Sequence, residues 1–291
     1  LARDGAILRL AEGVVVDNPI ELVFYSDPGG SPVVSNPRSM VVAARDSSAT
    51  LIETHVGSPD GRYWTNAVTE VVLEPGSAVE HYKIQDEAES AFHLALLDVR
   101  QRATSRFRSH AVMLGSSIAR HEVRVALEGE GSDVDLDGLY LPSGEQHHDN
   151  PILVDHLAPG CTSRQLYKGI VGEGGHGVFN GHIIVRPAAN RTEASQTNKN
   201  LLLSDRAEVD TRPRLEIRAD DVQCTHGATV GRLDLDALFY LRSRGIAEQA
   251  ARGVLTHAFA REMVTRCPPG PIRARIEELV AGRLLHGGGQ A

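Results

Sequence analysis

Cys224 and His226 are the residues whose types and spacing come closest to a metal site. They lie two positions apart in the run DDVQCTHGATV, which has the pattern of a β-strand. Alternate residues of a strand project from one face, roughly 6 to 7 Å apart, so a thiolate and an imidazole could share one metal ion or cluster. Two ligands do not complete a tetrahedral zinc site or hold an iron–sulfur cluster, which commonly uses four thiolates. A metal role therefore needs ligands from a second chain, and a buried pair without any ligand is the alternative.

A second set of possible ligands is interpreted as ordinary polar residues of a loop and turn. It has neither Cys-x2-Cys nor HExxH spacing, and consecutive histidines on a strand would point to opposite faces. The set comprises His147, His148, Asp149, His156 and Cys161. The remaining cysteine, Cys267, stands before two prolines at a predicted helix end and is interpreted as a small apolar filler.

A glycine-rich run from Gly172 to Gly177 matches the dinucleotide-binding fingerprint letter for letter. That mechanism needs a helix N-terminus after the glycines to receive the pyrophosphate, but the next residues, VFNGHIIV, are strand-like. We interpret the run as a turn. The sequence contains no GxxxxGK[ST], so a P-loop nucleotide hydrolase would have to be a different chain.

The elements that would position Cys224 and His226 are strands. From residue 7 to about 230 the chain is a succession of short Val/Ile/Leu-rich runs separated by Gly, Pro, Asp or Asn. A sandwich, a jelly roll and a parallel β-helix all fit this spacing, and the recurrence of polar residues after apolar triplets favours the β-helix slightly. Glu87 to Leu97 is ambiguous between helix and strand. In one strand Gln196, Asn198 and Asn200 share a face, either as an amide ladder between stacked coils or as a solvated face.

After residue 232 the pattern becomes helical, so we predict a β domain over 1–232 and a helical domain over 233–291. Asp234 or Asp236 can cap the first helix, and Gly245 can end it. A second helix is predicted from Ala247 to Arg266, and Pro271 suits the first turn of a third. The apolar stripe of the second helix consists of Ala247, Ala250, Val254, Leu255, Ala258, Phe259 and Met263. That of the third consists of Ile272, Ile276, Leu279, Val280 and Leu284.

Composition limits the classes of partner and the compartment. The net charge of -8 gives no basic excess, so neither nucleic acid nor a membrane is an expected partner. Three cysteines far apart in sequence argue for free thiols in a reducing cytoplasm. The start, LARDGAILRLAEG, lacks the features of a secretory signal, and we expect the sequence to be an N-terminally truncated piece.

Three segments of the chain, which include the glycine-rich run and the Cys224 and His226 strand, resemble the SufB/SufD family of the SUF iron–sulfur cluster assembly machinery. The resemblance is carried by TNKNLLLSDRAEVDTRPRLEIRADDVQCTHGATVGRLDLDALFYLRSRGI, with support from CTSRQLYKGIVGEGGHGVFNGHIIVRP and ARDGAILRLAEGVVVDNPIELVFYS. It covers nearly the whole chain. SufB-type members typically carry a glutamate-containing motif where CTHGAT stands here, so the SufD type is favoured.

This resemblance implies a right-handed parallel β-helix followed by a small C-terminal helical module, with an N-terminal helical part missing. It implies a non-catalytic scaffold subunit that pairs with a SufB-like subunit and binds a SufC-like ABC-type ATPase through about 233–285. The residues matching the family's site are His226, implicated in cluster assembly at the subunit interface, and the neighbouring Cys224. No cofactor would be stably bound, since the iron–sulfur cluster would be transient and shared with the partner, and a homodimer in isolation is possible.

Two other functions compete with the scaffold. One is a β-helix carbohydrate-active enzyme with paired carboxylates, although aromatic residues, which stack on sugars, make up only 4% of the chain. Its candidate residues are Asp205, Asp210, Asp220 and Asp221. The other is an interaction protein in which Cys224 and His226 are inert.

Overall fold

The structure is a computed structural model that describes residues 4–268 and 270–286. Over these residues the chain forms eighteen β-strands followed by three α-helices. The strands are β1 (Ile7–Leu10), β2 (Ile20–Ser26), β3 (Val33–Ser35), β4 (Arg38–Ala43), β5 (Ser48–Gly57), β6 (Tyr63–Leu73), β7 (Ala78–Asp86), β8 (Phe92–Gln101), β9 (Arg106–Met113), β10 (Ile118–Leu127), β11 (Asp133–Tyr140), β12 (His147–His156), β13 (Thr162–Val171), β14 (His176–Val185), β15 (Thr192–Leu202), β16 (Glu208–Thr211), β17 (Arg214–Ile217) and β18 (Val222–Arg232). The helices are α1 (Leu235–Ser243), α2 (Glu248–Arg266) and α3 (Pro271–His286).

The strands stack into a parallel β-solenoid of about eight turns, which confirms the predicted β-helix. One sheet follows the order β1-β4-β6-β8-β10-β12-β14-β16, with β3 paired to β6 and β17 to β14. The other is the eight-stranded sheet, which follows the order β2-β5-β7-β9-β11-β13-β15-β18. Successive strands of the chain therefore alternate between the sheets over most of the solenoid, and each coil pairs in parallel with the coils before and after it. Every coil hides the inner face of the preceding one, except at the two ends.

The interior is apolar over much of its length because alternate residues of each strand point inward. Its largest side chains are Phe107, Phe179, Tyr140 and Tyr167. Toward one edge of the early coils the interior is polar instead. There the Lys83 ammonium donates to Glu53 at 2.9 Å, and His55 Nε2 lies 2.6 Å from the same carboxylate. These groups are almost fully buried, so their mutual pairing offsets the cost of removing the charges from water.

Turns between coils use glycine where the backbone requires it. Gly174 has a φ of +74° in the turn between β13 and β14, and a Cβ there would lie 2.6 Å from the carbonyl oxygen of Gly144 in the preceding coil. The following residues enter β14, so the run from Gly172 to Gly177 is a turn leading into a strand, as predicted.

Three helices follow β18, and their ends agree with the sequence signals. The Asp234 carboxylate caps α1 by accepting the backbone N–H groups of Asp236 and Ala237 at 2.9 and 3.3 Å. Gly245, with a φ of +87°, follows the end of that helix. Pro271 begins α3.

Helices α2 and α3 pack on the outer face of the eight-stranded sheet and share a core with it, while α1 packs on α2. Ile276 and Val280 of α3 and Met263 of α2 contact a buried cluster that includes Ile84 and Val112. The predicted stripe of α3 is therefore confirmed in its central residues. The secondary structure changes between Arg232 and Leu235, while the division into two domains stays a prediction, because the helices bury their apolar face on the sheet.

Three local predictions were wrong or undecided. Residues 147–151, predicted as a loop, form the first half of strand β12, and Phe92–Gln101 is strand β8, which removes the helical alternative there. The buried face of α2 also differs from the predicted stripe. It is formed by Ala251, Thr256, Ala260, Met263 and Val264.

None of the helices within 4–268 and 270–286 is both long enough and apolar enough to span a bilayer.

Candidate functional site

The last strand, β18, is an edge strand of 11 residues. It pairs with β15 along its whole length and, in the part of the chain that the structure describes, with no strand on its other side. Most of its residues are exposed, including those whose counterparts on β15 are buried. A row of backbone N–H and C=O groups is therefore available to a further strand.

Cys224 continues a core column of the solenoid, since it pairs in register with the buried Ala194. Its side chain is half-buried and packs against the main core cluster. Burial raises the pKa of the Cys224 thiol, and a hydrogen bond with the backbone of Ala194 opposes that rise. The thiol is thus protonated at neutral pH until a metal ion or another cation displaces the proton.

His226 lies two residues further along the same face of β18 and is exposed. It pairs in register with Gln196, which is 1% exposed and donates from Nε2 to Gln165 Oε1 at 2.8 Å. The His226 side chain therefore lies next to a layer of buried, hydrogen-bonded amide side chains. Because no further coil covers β18 in the part of the chain that the structure describes, the side that elsewhere faces the solenoid interior is open to a partner here.

The layer beneath β18 is the predicted amide ladder. Asn198 and Asn200 are buried, and the Asn200 Nδ2 donates to Asn198 Oδ1 at 2.6 Å. Asn198 Nδ2 donates to the hydroxyl of Tyr140 and to the carbonyl of Tyr167, at 3.2 Å each. The alternative of a solvated strand face is wrong.

Helix α1 begins three residues after β18 and has an exposed apolar surface. Leu235 and Phe239 are 75% and 74% exposed and lie one helical turn apart, with Tyr240 beside them. A single exposed apolar residue is ordinary, but three large ones on two turns of helix mark a contact surface.

The other candidate residues do not assemble into a site. Asp205 pairs with Arg232, and Asp210 lies 3.0 Å from His176 Nε2, so both carboxylates have exposed ion-pair partners. Asp220 and Asp221 are exposed. His147 packs edge-on against His176, while His148 and His156 are buried on the opposite face of β12. Over the described residues no three His, Cys, Asp or Glu side chains come close enough together to hold a metal ion.

Sequence reasoning predicted Cys224 and His226 as site residues but missed the open edge of the strand that carries them. The openness of β18 depends on the absence of a following coil from the described residues, which no local pattern encodes.

Comparison with known proteins identifies the family to which the chain belongs. Residues 24–259 match the family model described as the SufBD core domain of the SUF system for FeS cluster assembly. The match covers the solenoid from β2 onward together with α1 and part of α2. The chain therefore belongs to the SufB/SufD family of iron–sulfur cluster assembly proteins.

Individual relatives agree with this family. SufD of Escherichia coli is 37% identical over 84% of this chain and 58% of its own length. A SufBD family protein of Synechocystis is 32% identical over 97% of this chain and 64% of its own length. The chloroplastic protein ABCI7 of Arabidopsis thaliana is 36% identical over 97% and 61%. The chain thus spans 58 to 64% of the length of these three relatives.

Proposed function

We propose that this chain is a SufD-type, non-catalytic scaffold subunit for iron–sulfur cluster assembly in the cytoplasm. The observation that carries the proposal is the open edge of β18, where Cys224 and His226 lie two residues apart on a strand that has no neighbour on one side among residues 4–268 and 270–286. The cluster is the cargo of this site. Two donors hold a cluster loosely, and a scaffold that must release its cargo needs few, exchangeable ligands shared between chains.

A SufB-like subunit is the partner that fits the edge. A strand added to β18 would satisfy its free backbone groups and would bring further ligands over His226. The burial of Cys224 beneath that strand would give the shared site a dry side, while the ordered amides of β15 hold the pair in place. The same edge would support a homodimer of the isolated chain.

The test replaces the imidazole while it preserves the strand. In a complex reconstituted anaerobically with its SufB-like and SufC-like partners, His226→Ala is expected to lower the cluster yield at least about tenfold, with an unchanged urea midpoint. Iron and sulfide content and the visible absorbance of the complex measure the yield. Thr225→Ala is the matched control, because Thr225 is exposed on the other face of β18. Equal yields from both variants would remove His226 from the site.

A SufC-like ABC-type ATPase is the partner proposed for the helical module. The apolar surface formed by Leu235, Phe239 and Tyr240 begins immediately after β18. A nucleotide-driven movement of α1 could therefore reach the Cys224 and His226 strand through a link of two residues, Leu233 and Asp234.

Co-purification tests this contact. Phe239→Ser is expected to abolish recovery of the ATPase, because it removes the centre of the apolar surface. Tyr25→Ser is the matched control, since Tyr25 is 64% exposed but lies on β2 at the opposite end of the solenoid. If Phe239→Ser retains the ATPase as well as the control does, the docking surface lies elsewhere.

A further inference from the structure

A cavity of about 410 Å³ lies between the outer face of the eight-stranded sheet and the junction of α2 with α3. Its floor is formed by β7, β9 and β11, and the nearest of these, β11, is three strands away from β18 in the sheet. Arg108, Thr265 and Pro268 line the cavity and are exposed, so dissolved molecules can enter it from solvent. The scaffold function proposed above makes no use of this cavity.

Two side chains at the floor of the cavity have polar atoms without a partner. His110 of β9 and Asp137 of β11 are in register, and His110 Nδ1 is 3.9 Å from Asp137 Oδ2, beyond hydrogen-bond distance. The two residues are 5% and 9% exposed. Among the described residues, both ring nitrogens of His110 and the Oδ1 of Asp137 lack a hydrogen-bond partner. Because unpaired buried groups of this kind are costly, they indicate a ligand that pairs with them.

Arg266 adds unpaired donors to the same place. Its Nε donates to Asp137 Oδ2 at 2.6 Å, and within residues 4–268 and 270–286 this is the one hydrogen bond that the guanidinium group makes. The two terminal nitrogens of the guanidinium are therefore left for another acceptor. Since the Nε–H···Oδ2 hydrogen bond joins the two side chains, a free carboxylate oxygen and free guanidinium donors lie side by side.

The ligand that fits this arrangement has a positive and a negative group close together. An ammonium group can donate to Asp137 Oδ1, and a carboxylate can accept from the terminal nitrogens of Arg266. His110 has at least one ring N–H in either protonation state, and this N–H can donate to the same carboxylate. In a free α-amino acid the ammonium and the carboxylate are attached to one carbon atom, which matches the close placement of Asp137 and Arg266.

The charges and the size of the cavity disfavour simpler ligands. Its lining contains three carboxylates and three guanidinium groups, those of Glu80, Asp135, Asp137, Arg108, Arg266 and Arg273. A small ion of either sign would therefore face three like charges, whereas a zwitterion pairs with both kinds. One water molecule occupies only about 30 Å³, and the cavity falls in the range of about 300 to 1,000 Å³ that is usual for small-molecule sites.

The wall opposite the sheet is held in place by Arg273 at the beginning of α3. The Arg273 Nε donates to the carbonyl of Cys267 at 2.7 Å, and its Nη2 donates to the carbonyl of Thr265 at 2.9 Å. These hydrogen bonds tie the first turn of α3 to the end of α2. The cavity is thus formed in advance, and a ligand does not have to order the wall on binding.

We propose that this cavity binds a free α-amino acid, with Asp137 holding the ammonium group and Arg266 and His110 holding the carboxylate. The side chain of the amino acid would lie against the apolar part of the lining, which Tyr82, Cys267 and Pro268 provide. The site is separate from Cys224 and His226, so its occupation can be measured without a SufB-like or SufC-like partner.

Calorimetric titration of the protein with each of the standard L-α-amino acids tests the proposal. At least one is expected to bind with a Kd of about 1 mM or below and to raise the Tm in proportion to its concentration relative to that Kd. The matched probes are the amide of that amino acid, which lacks the carboxylate, and its N-acetyl derivative, which lacks the ammonium group. Each is expected to bind at least about tenfold more weakly. The proposal is wrong if no standard amino acid binds, or if both derivatives bind as tightly as the amino acid.

Two variants distinguish recognition of the ligand from a structural role, because each changes a different selectivity. Asp137→Asn is expected to remove the preference over the N-acetyl derivative, and Arg266→Gln the preference over the amide, each with a loss of affinity of about tenfold. Asp155→Asn is the matched control, since Asp155 pairs with Arg186 at 2.8 Å on the other sheet. If Asp137→Asn does not fold, the exposed Arg266 decides the matter. Unchanged affinity and selectivity in Arg266→Gln would overturn the proposal.

Discussion

Single polar side chains hold the last coils together at the residue scale. Asn200 is the clearest case, because it accepts from the Tyr140 hydroxyl at 2.5 Å and donates to Asn198. Tyr140 belongs to β11, three strands before β18 in the sheet, so the Asn200 amide on β15 connects its strand to β11 across the intervening β13. The strand that carries Cys224 and His226 rests on this network.

Asn200→Ala is expected to lower the free energy of unfolding by about 2 to 4 kcal/mol. It removes the acceptor of the buried Tyr140 hydroxyl and the donor to Asn198 Oδ1, and it opens a small cavity. Urea denaturation followed by circular dichroism measures the change. Glu193→Ala on the exposed face of the same strand is the control and should stay within about 0.5 kcal/mol. An effect as small as that of the control would show that the network contributes little.

Residue-scale prediction from sequence works where chemistry and spacing are local. Cys224 and His226 lie two apart on one strand, so the period of two places them on one face. His110, Asp137 and Cys267 are separated by 27 and 130 positions, and only the packing of α2 on the sheet brings them together. Cys267 is buried, as predicted for a small apolar side chain. The polar residues near it, His110 and Asp137, are not linked to it by any local sequence pattern.

The attachment of α2 to the solenoid shows how one element is oriented at the next scale. Lys168 of β13 is nearly buried and makes three contacts with α2. Its ammonium group donates to the carbonyl of Phe259 at 2.8 Å and lies over the ring of the same residue. It also pairs with the Glu262 carboxylate at 2.6 Å. Lys199 of β15 reaches the other oxygen of Glu262 at 3.5 Å but is 40% exposed. The pairing with Lys168, more than burial, sets the lowered pKa of Glu262.

Lys168→Met is expected to loosen α2 while the strands stay folded, because it removes the buried cation and its three contacts at once. Hydrogen exchange of α2 amides should rise about tenfold or more, with β9 to β13 unchanged. Lys199→Met is the matched control, since it removes an exposed partner of the same carboxylate and should have a small effect. Equal exchange in both variants would place the anchor of α2 in its apolar contacts.

Element prediction from sequence succeeded for most strands and for the helix ends, whose signals are local. It failed at residues 147–151, a polar, histidine-rich segment that forms the first half of β12 and is fixed there by parallel pairing with β10 and β14. The buried face of α2 was also misjudged. Val254 was predicted to lie on the apolar stripe, but it is 52% exposed. The ion pairs of Lys168 with Glu262 and of Asp137 with Arg266 orient a different face of α2 toward the sheet.

Acid sensitivity is a property of the whole molecule, because the solenoid interior contains neutral histidines. Burial is the main cause that lowers the pKa of His55 from 6.5 to about 4, of His148 to about 3 and of His156 to about 4. An unfolded chain binds protons at these residues below pH 6.5 while the native chain does not, so acid favours unfolding in that range. His110 has the opposite sign: its pKa is raised to about 9, and its contribution is lost as pH rises toward that value.

The free energy of unfolding is therefore expected to be highest near neutral pH and to fall between about pH 6.5 and 4, by on the order of 1 kcal/mol per pH unit for each such histidine. Urea titrations at several pH values measure it. His148→Gln is expected to flatten the acid slope by about one proton, compared with the unsubstituted chain. A free energy that stays constant from about pH 7 to 5 would contradict the neutral, buried state of these imidazoles.

Over the described residues, the two ends of the solenoid are edges of the same sheet, β2 at the beginning and β18 at the end. If β18 of one copy paired in parallel with β2 of another, the contact would repeat by translation and would not close on itself. Copies joined in this way grow into filaments of unlimited length. A subunit that caps β18 ends such growth after one step, so it would act as a chain terminator and keep the protein dispersed, in addition to any ligands that it contributes.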